Sequence, residues 1–182
     1  MSHLDSSSCK SFRFSTSLLR NVGIFMLISL LVAGCKVYSF TGASISPEVK
    51  SVSITFFPSF AALAPANMPQ IFTEELRDKF VSQTNLDLLP NGGDIRLEGF
   101  ISDYRTQPVA IQSNSAAQNR LTVSVNVTFT DTKNEDNNFE KTFTRFADFD
   151  ATVNLADVEQ PLILEINTQL IQDIFNQAVV NW

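Results

Sequence analysis

The chain is nearly without cysteine and histidine. Its two cysteines are Cys9 and Cys35, its one histidine is His3, and all three lie in the first fifth of the 182 residues. From residue 36 onward no disulfide can form and no Cys–His or Ser–His nucleophile can be assembled. A histidine-containing zinc site is excluded there too. Positive charge is also scarce, with 13 Lys+Arg against 19 Asp+Glu and a net charge of −6. That balance speaks against a nucleic-acid partner, which would want a basic face. No apolar run reaches the roughly 20 residues a spanning helix needs. Asn91-Gly92-Gly93 precedes a strand instead of following one, so it is not a phosphate loop.

What is present begins at the N-terminus. Lys10, Arg13 and Arg20 precede an apolar stretch from Val22 to Ala33, closed by Gly34 and Cys35. A basic segment, a short apolar segment and a small-residue exit make the anatomy of a secretory signal peptide. Residues 1–34 are therefore expected to be removed, leaving a tether over 35–48 and a single domain over 49–182. Three basic residues leave with one acidic residue, Asp5, which takes the net charge from −6 to −8.

The domain alternates between two periods. Val52, Ile54 and Phe56 recur at every second position in a first strand that Pro58 ends. Asn67 and Gln70, with Pro69 in the first turn, have the spacing of a capping box. The helix they open carries Phe72, Leu76 and Phe80 on one stripe and runs to about Ser82. After the turn Pro90-Asn91-Gly92-Gly93, a second strand places Ile95, Leu97 and Ile101 opposite Arg96, Glu98 and Ser102, with a bulge expected at Gly99. A polar loop from Gln112 to Asn119 follows. The third strand has the cleanest alternation: Leu121, Val123, Val125, Val127 and Phe129 against Thr122, Ser124, Asn126, Thr128 and Thr130. Phe139–Asp150 forms a fourth strand, in which the spacing of Phe143, Phe146 and Phe149 predicts a bulge near Arg145. Leu155–Val180 is helical, with Ile163, Ile166, Leu170, Ile174 and Ala178 in one stripe and the regular helix starting at Pro161.

The order β-α-β-β-β-α implies an α+β, two-layer sandwich. A four-stranded, mostly antiparallel sheet carries both helices on one face. The other face is then bare and rich in small polar residues, so a carboxylate at Val125 is expected to unfold the domain and one at Thr122 to be tolerated. Acidic candidates for chemistry are few. Asp148 and Asp150 read as solvated carboxylates near a strand end. Asp131–Asp136 reads as a hairpin tip, because Lys133 occupies what would be a calcium-ligand position. No enzymatic chemistry, metal or cofactor is expected.

Val32-Ala33-Gly34-Cys35 resembles the bacterial lipobox, in which the cysteine thiol takes diacylglycerol and the new N-terminus an acyl chain. Further stretches resemble the LptE-like lipopolysaccharide-assembly lipoproteins in their Bacteroidetes-type form. They are Tyr38 to Ile45, Phe72-Thr73-Glu74, Pro108 to Gln112, Asn119 to Val123, Arg145 to Phe149, and the terminus from Asp173 to Trp182. The resemblance implies a four-stranded sheet with two helices. It also implies an outer-membrane, lipid-anchored protein at the periplasmic face, plugging and helping to assemble an LptD-like barrel that delivers lipopolysaccharide to the outer leaflet. Thr122, Ser124, Asn126 and Thr128 are then the candidate barrel-facing residues, since a barrel lumen is polar and wet. Lipopolysaccharide is polyanionic, which makes Arg96, Lys141 and Arg145 its candidate contacts. The competing reading is a free periplasm-facing lipoprotein that binds a small ligand between sheet and helices, with no barrel partner.

The lipobox has a direct test. Cys35→Ala should abolish incorporation of labelled palmitate and leave an uncleaved or soluble form. Label entering the variant at the wild-type level would refute the assignment.

Overall fold

The computed structural model describes residues 45–109 and 117–179. The predicted signal peptide, Cys35 and most of the predicted tether lie outside the described residues. Eight elements follow one another: β1 (Ser51–Ile54), α1 (Met68–Gln83), β2 (Asp87–Leu89), β3 (Ile95–Val109), β4 (Gln118–Asp131), a 3-10 turn (Glu135–Asn137), β5 (Phe139–Asp150) and α2 (Leu155–Val179).

The α+β architecture with both helices on one face is as the periodicity predicts, and the sheet has one strand more. Its order is β2-β1-β3-β4-β5. The extra strand, β2, has only three residues, all exposed, and pairs in parallel with β1. β1 is also parallel to β3, so only the β3–β4–β5 half is an antiparallel meander. A strand of three residues shows no period of two that a sequence could display.

The core lies between the sheet and the helices. From the sheet come Val52, Ile54, Ile95, Leu97, Ile101 and the odd-numbered residues Leu121 to Phe129, all essentially inaccessible. From the helices come Phe72, Leu76, Phe80, Ile166, Leu170 and Ile174. Aromatic pairs stitch the layers: Phe57 meets Phe72 at 5.5 Å between ring centroids, and Phe80 meets Phe175 edge-on at 5.1 Å. Such pairs contribute about 0.5–1.5 kcal/mol each beyond the area they bury.

Local corrections each have a physical cause. Phe57, not Phe56, enters the core; Phe56 is 55% exposed. The alternation slips after Ile54 because α1 takes over the backbone there. The Arg77 guanidinium donates to the Ile54 carbonyl at 2.7 and 3.2 Å, and the Phe57 amide donates to Thr73 Oγ1 at 3.1 Å. The predicted bulge near Arg145 does not exist: β4 and β5 pair without interruption from Gln118↔Asp150 to Phe129↔Phe139. Phe143 and Phe149 therefore share the buried face, and Phe146 points the other way. The register shift is in β3, between Ile101 and Asp103, two residues beyond the glycine first suspected. Gly99 has another role, since a Cβ there would collide with the Asn126 carbonyl and the Phe57 ring.

At α1 the Asn67 side chain makes no cap hydrogen bond, and Gln70 instead donates to Glu74 at 3.0 Å. α2 begins at Leu155 as the sequence predicts, and it is regular from there, running unbroken through Pro161, the predicted start of the regular helix. At its first turn Asn154 accepts from the Ala156 amide at 3.2 Å. Proline removes only one intrahelical donor, and the packing of the stripe beyond it offsets that loss.

Three polar ties lock the ends. Asp94 accepts from the Lys50 and Ser51 amides at 3.0 and 3.2 Å, and Lys133 reaches its other oxygen at 3.1 Å. The backbone hydrogen bond from Lys50, then the contacts from Lys133 and Ser51, hold the Asp94 carboxyl down at a pKa of about 2. Asp131, fully buried, accepts from the Lys133 and Asn134 amides and from the Asn137 side chain, so it holds the hairpin tip. At the opposite end Tyr104 of β3 donates to Glu159 of α2 at 2.6 Å.

The two sheet faces should respond differently to charge. Val125→Asp buries a carboxylate with no partner and should cost about 4 kcal/mol or more, unfolding the domain. The comparison position on the other face is Asn126, because Thr122 is enclosed by its neighbours and only 7% exposed. Asn126→Asp should stay within about 1 kcal/mol of wild type by denaturant titration. Equal losses would overturn the assignment of faces.

Candidate interaction surface

The β4–β5 register decides which side chains share the helix-free face. Opposite residues of an antiparallel pair point the same way, so Thr122 stands beside Phe146, Ser124 beside Thr144, Asn126 beside Thr142 and Thr128 beside Glu140. From β3, Arg105, Asp103, Phe100, Glu98 and Arg96 join them in order. The four sequence-predicted residues Thr122, Ser124, Asn126 and Thr128 therefore form one row along β4. Two of them, Thr122 and Ser124, are only 7% exposed, because short side chains in mid-sheet sit below their neighbours. Asn126 and Thr128 are half-buried.

The row is a hydrogen-bonded floor. Ser124 Oγ and Thr144 Oγ1 lie 2.8 Å apart, the Asn126 amide donates to Thr142 Oγ1 at 3.4 Å, and Ser102 Oγ donates to the Ser124 carbonyl at 3.2 Å. At one end Arg120 forms a two-pronged pair with Asp148, at 2.7 and 2.8 Å. The same guanidinium lies 3.6 Å above the centroid of the Phe146 ring. The hydrogen bond from Arg120, and then its charge, hold the Asp148 carboxyl below its ordinary value of 3.8; the same bond raises the Arg120 pKa. Asp103 and Arg105 form a neighbouring ion pair. Opposite charges alternate at this end of the face.

The candidate lipopolysaccharide contacts are not brought together. Arg96 lies on this face, exposed, opposite Thr130. Lys141 and Arg145 share the other face with Phe143 and lean on α2 at the sheet's edge. Arg145 pairs with Asp173 at 2.6 and 2.8 Å, and Lys141 donates to Gln177 at 2.9 Å. Between them lies an open groove of about 600 Å³, lined by these four residues with Thr142, Phe143, Thr144 and Asn176. No cluster of His, Cys, Asp or Glu suited to a metal occurs among the described residues.

Sequence reasoning missed the Arg120–Asp148–Phe146 group. Its signal was present: all three have outward parity, but seeing them as one group required the register. A bulge placed at Arg145 would have separated Asp148 from Arg120.

The family model for lipopolysaccharide assembly, LptE, matches residues 49–178. The chain belongs to the LptE family. It is accordingly a protein of lipopolysaccharide assembly. Its LptE-family region covers every core residue described above. No curated protein matches the chain. Among solved structures it is similar to a minor lipoprotein from Acinetobacter baumannii (16% identity, TM-score 0.48, covering 71% of this chain and 91% of that one). It is also similar to the rare lipoprotein B from Shewanella oneidensis (16%, 0.42, 70% and 90%). A third is a hypothetical protein from Chlamydia trachomatis (13%, 0.49, 72% and 98%).

The Arg120–Asp148 pair should show its dependence on pH. A carboxyl whose pKa is lowered in the folded state stabilises above its unfolded value and loses that contribution as pH falls. Asp148→Asn should therefore lower the melting temperature slightly at pH 7, by no more than a few degrees for an exposed pair. The gap to wild type should close as pH drops below 3.8. A gap that is constant down to strong acid would show that the carboxylate's charge is not involved.

Proposed function

We propose that this LptE-family lipoprotein is anchored by lipid on Cys35 at the periplasmic face of the outer membrane. There it plugs and helps to assemble an LptD-type barrel through which lipopolysaccharide reaches the outer leaflet. One observation carries the proposal: the helix-free face of β3, β4 and β5 is floored by short hydroxyl and amide side chains already hydrogen-bonded to one another. A low polar row in the middle of that face suits the wet wall of a large barrel. Bulky or strongly charged groups there would hold the wall off.

The alternative, a free binding lipoprotein with a pocket between sheet and helices, has less support. That space is filled by side chains with no accessible surface, among them Phe57, Phe72, Phe80 and Phe129. Contacts to lipopolysaccharide would be divided between two places. Arg96 is available on the barrel-facing side. Lys141 and Arg145 line the groove beside α2, where Asp173 already neutralises Arg145.

Asn126→Arg with Thr142→Arg is the direct test, both positions being more open than Ser124. The doubly substituted chain should keep its melting temperature but lose most co-purification with the barrel in gentle detergent. Photocrosslinkers at 126, 128 and 142 should reach the barrel in wild type. Failure of the face to crosslink, with the native complex also absent, would return the chain to the free-lipoprotein reading.

A further inference from the structure

The segment joining β1 to α1 is unlike the rest of the surface. From Ser51 to Thr73 there is no Asp, Glu, Lys or Arg, in a chain whose net charge is −6. Within it Phe56 is 55% exposed, Phe60 70% and Leu63 75%. Phe60 is not loose. Its amide donates to the Ile101 carbonyl at 2.9 Å, the Ile101 amide donates to the Pro58 carbonyl at 2.8 Å, and its ring sits 5.0 Å from that of Phe100. The segment is thus pinned along β3 with its aromatic side chains held outward, at a cost that water alone does not repay.

We propose that Phe56, Phe60 and Leu63 form a membrane-docking tip that inserts shallowly into the leaflet carrying the lipid anchor. This rests on the lipidation of Cys35 proposed above. Three observations favour lipid over a protein partner. The exposed large side chains are Phe and Leu, which bury at the acyl boundary, and the segment from Ser51 to Thr73 has no Arg to anchor a protein hot spot. It is also the stretch of this acidic chain that an anionic leaflet repels least. Reach is sufficient as well: β1 with its extension to Phe57 is about 20 Å long, less than the at most about 35 Å that the chain between Cys35 and Ile45 can span. A second, weak apolar contact beside an acyl anchor fixes the orientation of a lipoprotein on its bilayer, because each buried aromatic adds to membrane affinity.

Tryptophan quenching in the mature lipidated chain tests this. With Trp182→Phe as background, Phe60→Trp and Phe146→Trp are reconstituted separately. The vesicles are phosphatidylethanolamine and phosphatidylglycerol containing lipid brominated along its acyl chains. Position 60 should show blue-shifted emission and severalfold stronger quenching than position 146. Phe56→Ser with Leu63→Ser should abolish that difference while the chain stays on the vesicles. Vesicle-bound chain with position 60 unquenched overturns the docking tip and leaves the anchor standing. A chain that stays off the vesicles overturns both. A photocrosslinker at position 60 that captures the barrel, with no quenching in vesicles, reassigns the tip to the protein interface.

Discussion

The twelve paired positions that join β4 to β5 without a bulge set the parity of the whole sheet. With period-two geometry, one slip would exchange the two faces of β5. Phe143 and Phe149 would leave the core, and Asp148 would leave Arg120. The register is held from both sides of the sheet. Phe129 and Phe139 stack at 5.1 Å with their planes nearly parallel on the covered side. Arg120 and Asp148 clasp on the open side.

Two helices can cover one face of a five-stranded sheet and no more. That constraint divides the molecule into a side that stabilises it and a side free for other use. The covered side is almost wholly aliphatic and aromatic. Among its polar exceptions, Thr73 and Asn167 bind the β1–α1 corner and Glu75 of α1 respectively. Burial raises the Glu75 pKa, which the Asn167 hydrogen bond partly opposes. The open side carries three arginines and a small excess of carboxylates around its low hydroxyl floor, and the charge-free aromatic tip stands at its margin. A polar floor beside an apolar tip is the pairing of surfaces that the proposed position between a barrel wall and a bilayer would use.

The cations divide along the same line. Arg120 and Arg105 are paired on the open side, and Arg145 is paired at the covered edge. Arg96 and Lys141 have no ion-pair partner among the described residues, and they lie on opposite faces. A polyanionic ligand would therefore meet single charges at two sites and not one basic cradle, so charge alone would hold it weakly at physiological salt.

Periodicity alone determined much of this protein. The α+β order, the two helix stripes, the bounds of β5 and the polar row Thr122, Ser124, Asn126 and Thr128 follow from local alternation, because each reports which face of its own element is buried. So does the expectation of a lipobox at Cys35, a linear motif that needs no fold. Tertiary structure decided whatever depends on a partner distant in sequence. β2 exists because β1 offers it an edge. Phe57 displaces Phe56 because Arg77 and Thr73 of α1 capture the backbone between them. Lys141 and Arg145 turn to α2, and Arg120 finds Asp148, through a register that no local pattern records. Side-chain period is local; pairing is not.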